Sequence, residues 1–135
     1  NNKYWLFSTN SKNKMADHEL NIFYSDQLKG PWIAHRQNPV ITSIKSARPA
    51  GSFIKIGDKI IRPSQNSGHT YGGSIMLNEI IELNENTYVE KINDTISSND
   101  LKPSGAIGIH TISNFGNSTL IDGKFTGFKI GKIYF

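Results

Sequence analysis

The sequence has no cysteine. That excludes disulfides, thiolate nucleophiles and cysteine-held zinc, and it leaves the compartment open, since a reducing cytosol is only one of many places that fit. Long hydrophobic runs are also missing. No apolar stretch approaches the roughly 18 residues that a membrane-spanning helix needs. The opening residues, Asn1-Asn2-Lys3-Tyr4-Trp5-Leu6-Phe7, lack the apolar core and cleavage site of a signal peptide. Arginine is scarce, with three against twelve lysines. Net charge is only +4, from 15 basic and 11 acidic residues. Nucleic-acid binders concentrate basic residues on one face or helix, whereas these lysines are scattered among acids, so no nucleic-acid partner is expected. The 135 residues amount to one domain at most. A first residue of Asn rather than Met leads to the expectation of a processed or truncated polypeptide.

What is present reads as nearly all β. Runs rich in Ile, Phe, Tyr and Thr recur between Gly, Asn, Asp and Pro clusters. Strands are expected at Tyr4 to Ser8, Glu19 to Ser25 and from Trp32 to His35, with a polar loop from Thr9 to Asp17 and a turn from Asp26 to Pro31. The clearest hairpin is Gly51 to Ile56, then Gly57-Asp58, then Lys59 to Arg62. Gly in the first turn position fits a two-residue connection, and that register sets Ile54 opposite Ile61 and Phe53 opposite Arg62. Ser74 to Leu83 has both helical and alternating character. It is read as a strand because a second run, Thr87 to Ile92, follows the turn Asn84-Glu85-Asn86. Further strands are expected at Ile107 to Ser113 and Thr119 to Ile121, with Asp122-Gly123 ending the latter and Phe125 to Phe135 forming a tail.

Three segments, about 1–45, 46–100 and 101–135, share a logic of strand, hairpin and further strand. A spacing of about 45 to 60 residues suits propeller blades. From pattern alone, a β-sandwich or small barrel fits as well. A propeller of this length would hold two to three blades and would need others to close its ring, supplied by a longer parent or another copy.

Two of the three arginines fall close together, each before a proline: Arg48-Pro49 and Arg62-Pro63. Arg supplies a planar fork that Lys cannot, so its placement in a lysine-biased chain is informative. Gln65, Asn66, His69 and Tyr71 add donors, acceptors and an aromatic face. Such a set suits a sugar, whose hydroxyls need amide and guanidinium contacts and whose apolar ring face takes an aromatic. The competing reading is a polar loop whose arginines make structural ion pairs. His110, mid-strand among apolar residues, is either a satisfied core histidine or an inward-facing ligand group. Glycoside hydrolysis needs two carboxyls across the bond, and only Glu79 and Asp122 lie where a cleft could form. Asp58 reads as a solvated turn residue, and Glu82, Glu85 and Glu90 as an exposed edge. No metal-ligand spacing, phosphate loop or dinucleotide fingerprint is present, so no cofactor and no metal are expected.

The blocks Trp5-Leu6-Phe7, Ser25-Asp26, Gly30-Pro31-Trp32, His35, Asn38-Pro39-Val40, Ala47-Arg48-Pro49-Ala50-Gly51, Ile61-Arg62-Pro63-Ser64-Gln65, Tyr71-Gly72, Tyr88-Val89-Glu90, Gly108-Ile109-His110-Thr111 and Ile121-Asp122-Gly123 occur in this order. Over roughly residues 5 to 123 the chain resembles the N-terminal propeller region of glucosamine inositolphosphorylceramide transferase-type proteins. The resemblance implies a five-bladed β-propeller related to arabinanase- and fructosidase-type glycosidases. Their Arg-Asp-Pro is matched here by Arg48-Pro49-Ala50, which keeps the Arg and lacks the Asp. Their Gly-x-His, which places a His beside an axial cation, is similar to Gly108-Ile109-His110. In the transferase family, glycosyl transfer is assigned to a separate catalytic domain that this chain lacks.

The expectation is therefore part of a five-bladed propeller that recognises a carbohydrate or nucleotide-sugar as an accessory of a larger sugar-modifying protein. Arg48 and Arg62 would clamp an anionic or hydroxyl-rich group. Gln65 and Tyr71 would read hydroxyls and stack, and His110 and Asp122 would come from the neighbouring blade. An active glycoside hydrolase using Glu79 or Asp122, or a propeller used for protein docking, are the alternatives.

Overall fold

The computed structural model describes residues 2–9, 18–68, 70, 72–101, 105–116 and 118–125. Among the described residues, ten strands form three antiparallel sheets, none of them closed, with one short 3-10 turn at Ser98–Asp100. The first sheet holds β1 (Tyr4–Thr9), β2 (Glu19–Ser25), β3 (Ile33–Ala34) and β4 (Ile41–Thr42). The second is a meander of β5 (Ile54–Ile56), β6 (Lys59–Asn66), β7 (Ser74–Leu83) and β8 (Tyr88–Ser97). The third pairs β9 (Ala106–Phe115) with β10 (Ser118–Phe125).

The expected hairpin forms as its residues dictate. Gly57 has φ +59°, the left-handed value a primed turn requires, and Ile54 lies opposite Ile61. Phe53 falls just outside β5. Ser74–Leu83 is a strand throughout, so alternation outweighs the helical spacing. The edge beside β2 is built in pieces. β3 and β4 pair with β2, and between them the Asn38 side chain takes a strand's part: its Oδ1 accepts from Ile22 N at 2.8 Å and its Nδ2 donates to Ile22 O at 2.7 Å. β10 runs past the Asp122-Gly123 step, which the sequence reads as a strand end. Two residues, His110 and Thr111, lie opposite the single Asp122, forming a bulge. Most of the expected Thr9–Asp17 loop, and the tail beyond Phe125, lie outside the described residues.

The second sheet is covered on both faces. Toward the first sheet, Phe7 meets Phe53 edge-on, with ring centroids 4.8 Å apart, and Tyr88 at 5.7 Å. Toward the third, Ile54, Ile61 and Ile75 pack with Ala50, Ile109 and Ile112 in one buried cluster. Burying each of these isoleucines contributes roughly 1.5–3 kcal/mol. The sheets thus stack in chain order, with the second in the middle.

Backbone bonds pin the middle sheet to β9. Ile112 N donates to Ala50 O and Ile109 N to Gly72 O, each at 2.8 Å. Both steps require glycine beside them. A Cβ on Gly51 (φ +131°) would lie 1.9 Å from Ile112 O, and one on Gly72 (φ +71°) 2.7 Å from His110 Nε2.

Candidate functional site

Residues 47–50 run beside the C-terminal half of β6. Pro49 bridges Ser64, Gln65 N donates to Arg48 O at 2.8 Å, and Ala50 N donates to Pro63 O at 3.0 Å. Arg48 is therefore the cross-strand neighbour of Gln65, on the face turned to β9. Gln65 is 3% exposed, and its Nε2 donates to His110 O at 3.0 Å. Its Oε1 is buried with no hydrogen-bond partner among the described residues.

His110 and Asp122 meet at the β9–β10 bulge. Asp122 Oδ1 accepts from His110 N at 2.8 Å and from Thr111 N at 2.6 Å, and Oδ2 lies 3.5 Å from His110 Nδ1. Partial burial pushes the Asp122 carboxyl up. The Thr111 and His110 amides outweigh it and hold the carboxyl below its ordinary value. The His110 ring packs against Gly72. Beside it, at the same end of β6 and β7, a cavity of about 200 Å³ is lined by Asn66, Thr70, Gly73 and Ser74. The structure thus brings Arg48, Gln65, His110 and Asp122 to one region. Tyr71, and the neighbouring His69, lie outside the described residues.

Arg62 is placed differently. In a strand, residues three apart point to opposite faces, so Arg62 and Gln65 diverge. Arg62 points toward the first sheet and is 2% exposed. Its Nε and Nη2 donate to the two oxygens of Glu90, each at 2.7 Å, and Nη2 also donates to Ser46 O at 2.8 Å. Burial pulls the guanidinium's pKa down, but the Glu90 bonds and charge raise it above its ordinary value. Tyr88 Oη donates to Glu90 as well, and burial first, then the carboxylate, holds the phenol protonated well above its usual range. Asn78 closes the network, donating to Arg62 O at 3.0 Å and Ser64 Oγ at 2.8 Å. The direct clamp expected of Arg62 is thus replaced by a buried fork on Glu90, because the partner lies two strands away on the same face.

Glu90 was the residue the sequence hid. Read as an exposed edge acid, its side chain is only 11% exposed. The signal was Tyr88 and Glu90 two apart on one strand, facing the same side as an arginine in need of a counter-charge. Of the other candidate acids, Glu79 accepts from Lys59 at 3.0 Å and lies 3.4 Å from Lys91. The Lys59 bond lowers its pKa most, against a smaller effect of burial. His35 is a further buried polar residue: it accepts from Gln37 N at Nδ1 and meets Asn84 O at Nε2, 2.8 Å away, tying the first sheet to the β7–β8 turn.

Among the described residues no group of His, Asp and Glu could hold a metal ion, and no helix is long and apolar enough to cross a membrane.

The chain belongs to the family described as glucosamine inositolphosphorylceramide transferase 1, N-terminal, which matches residues 1–127. It is 35% identical over 91 residues to a rice (Oryza sativa subsp. japonica) protein named glucosamine inositolphosphorylceramide transferase 1, a match covering 64% of this chain. The protein of that name from Arabidopsis thaliana is 30% identical over 91 residues. The match spans 12% of the length of either relative. No solved structure matches the chain at a significant level.

Proposed function

We propose that this chain is a carbohydrate-recognising module within the N-terminal region of a sugar-modifying transferase, built as part of a five-bladed β-propeller. Membership of the family supports the transferase context, since the relatives are named for transfer involving glucosamine and inositolphosphorylceramide. Three antiparallel sheets stacked in chain order, the middle one a four-stranded meander covered on both faces, support the reading of blades at about 1–45, 46–100 and 101–135. On that reading the remaining blades come from elsewhere in the parent domain.

The observation that carries the site is the convergence of Arg48, Gln65, His110 and Asp122. Arg48 supplies a fork of donors to hydroxyl or anionic groups. Gln65 Oε1, a buried acceptor with no donor among the described residues, takes a water that bridges to the ligand. Asp122 fixes the bulge that presents His110. Arg62 acts one layer beneath, as a strut that holds Ser46 and the segment leading to Arg48. The ligand is a carbohydrate or nucleotide-sugar.

On the hydrolase alternative, Glu79 and Asp122, both held below their ordinary values, suit a base or nucleophile rather than the general acid, whose place falls to a residue elsewhere in the parent domain.

The test is glycan-array and nucleotide-sugar binding by the full-length parent protein. Arg48→Ala and Gln65→Leu are expected to abolish binding with the β circular-dichroism signal intact. Binding untouched by both substitutions would remove the site assignment.

A further inference from the structure

The first sheet is open along one side. β1 pairs with β2 and, among the described residues, with no other strand. Every second residue of β1 therefore turns its N–H and C=O away from the sheet. Edges of this kind are ordinarily blunted by charge, proline, bulges or short length. The other edge strands have such devices. β5 has three residues and carries Lys55, and β3 and β4 have two residues each. β8 carries Lys91, Asp94 and two breaks in register, and β10 carries Lys124 and the bulge at Asp122. β1, Tyr4–Thr9, has no charge, no proline and an unbroken register over six residues. An edge so unprotected is one that calls for a cover.

The inner side of that edge is hollow. Trp5 and Phe7 of β1 share a cleft of about 280 Å³ with Phe53, Ile60, Ile80 and Leu83. No β2 side chain lines it, so it opens beyond the free edge of β1 and not beneath the sheet. Phe53 and Ile60 are 43% and 48% exposed there. A strand laid along β1 at about 4.8 Å sends every second side chain into this space. It thereby continues the contact that Phe7 already makes with Phe53. The middle sheet supplies the pattern. Its β6 is flanked by β7 on one side and on the other by β5, which reads Ile54-Lys55-Ile56, apolar at alternate positions. In the first sheet β2 flanks β1 on one side, and no described strand takes the other.

A second copy does not fit this place. Its β1 arrives with its own middle sheet packed under Phe7, in the space that Phe53 and β5 of the first copy fill. A single extended segment does fit. The relatives have ample chain to provide one, since the match spans 12% of their length. We infer that one extended segment of the parent chain, from outside these 135 residues, pairs with β1 and sets large apolar side chains at alternate positions into the cleft. The inference rests on the parent context of the proposed function and is independent of the sugar cluster.

The test is made on the full-length parent protein. Photoreactive benzoylphenylalanine in place of Phe53, an aromatic for an aromatic at the cleft wall, should cross-link to one segment outside residues 1–135. That segment should alternate apolar and polar residues. Hydrogen exchange read by mass spectrometry should find the outward amides of β1 as protected as those bonded to β2. Ile60→Glu puts a charge into the cleft at a half-exposed position. It should speed exchange of the outward β1 amides at least tenfold, with β7 and β8 unchanged as the sign of an intact fold. Arg48→Ala, expected to abolish glycan binding, should leave the β1 protection as it is, so either reading can fail without the other. The inference is overturned by fast exchange of the outward β1 amides in the parent, or by protection that survives Ile60→Glu. A cross-link to residues 126–135, to a second copy or to another protein would overturn it as well, and would name the true occupant.

Discussion

The two faces of the middle sheet are held by different physics. Toward the third sheet the contact is aliphatic: Ile54, Ile61 and Ile75 against Ile109 and Ile112. Toward the first sheet it is aromatic and polar, with Phe7 on Phe53 and Tyr88 and the Arg62–Glu90 pair buried beside them. The two Arg-Pro steps of the sequence fall on either side of this divide. Arg48 lies on the aliphatic face, at the end where Gln65 and His110 meet. Arg62 lies on the other, bound to Glu90. An arginine-proline pair repeated 14 positions apart thus falls on opposite faces of the sheet, as strand parity dictates.

Breaking the polar face should have the largest effect. Arg62→Ala leaves Glu90 buried without its counter-charge, and urea unfolding should show a loss of about 3–5 kcal/mol. Converting both partners to apolar residues, Arg62→Met with Glu90→Leu, should recover most of that loss. A double variant as unstable as the single one would mean that packing, not charge, is what the pair provides. On the aliphatic face, Ile109→Ala should cost about 2–5 kcal/mol by the same measurement.

Next in size is the seam between the middle sheet and β9. Gly51→Ala combines a left-handed φ with a clash against Ile112 O, so a loss of roughly 1–3 kcal/mol is expected, with the amide of Ile112 losing hydrogen-exchange protection. Unchanged protection there would show that the Ala50–Ile112 bond is not what joins the sheets.

The smallest effect is acid lability. Asp122, Glu79 and Asp100 all have depressed pKa values in the fold, the last chiefly through the Ser97 amide. The unfolded chain therefore takes up their protons first, near pH 4. Their contribution is complete above that pH and is lost as pH falls through the lower folded values. The urea midpoint should decline as pH falls from 5 toward 3. A midpoint that held steady to pH 3 would contradict the bonding described for these carboxylates.

Much of the middle sheet was legible in the sequence because its signals are local. Gly57-Asp58 fixes the hairpin register, and alternation marks Ser74–Leu83. The first sheet's edge was less so, since β3 and β4 have two residues each and a side chain, Asn38, stands between them. Asp122-Gly123 reads as a turn in any sequence, and only the β9 amides opposite show it to be a bulge. The grouping of Arg48, Gln65, His110 and Asp122 was visible as composition. The divergence of Arg62 from Gln65 was also within reach, since the two are separated by an odd step on one strand. What no local pattern could supply was Glu90, 28 residues from the arginine it neutralises.

The most direct test compares the two arginines in one experiment, measuring glycan binding and the urea midpoint of Arg48→Ala and Arg62→Ala together. The account predicts that Arg48→Ala loses binding with a smaller drop in midpoint than Arg62→Ala, which shows the large one. Arg48→Ala that binds normally but unfolds as early as Arg62→Ala would contradict it.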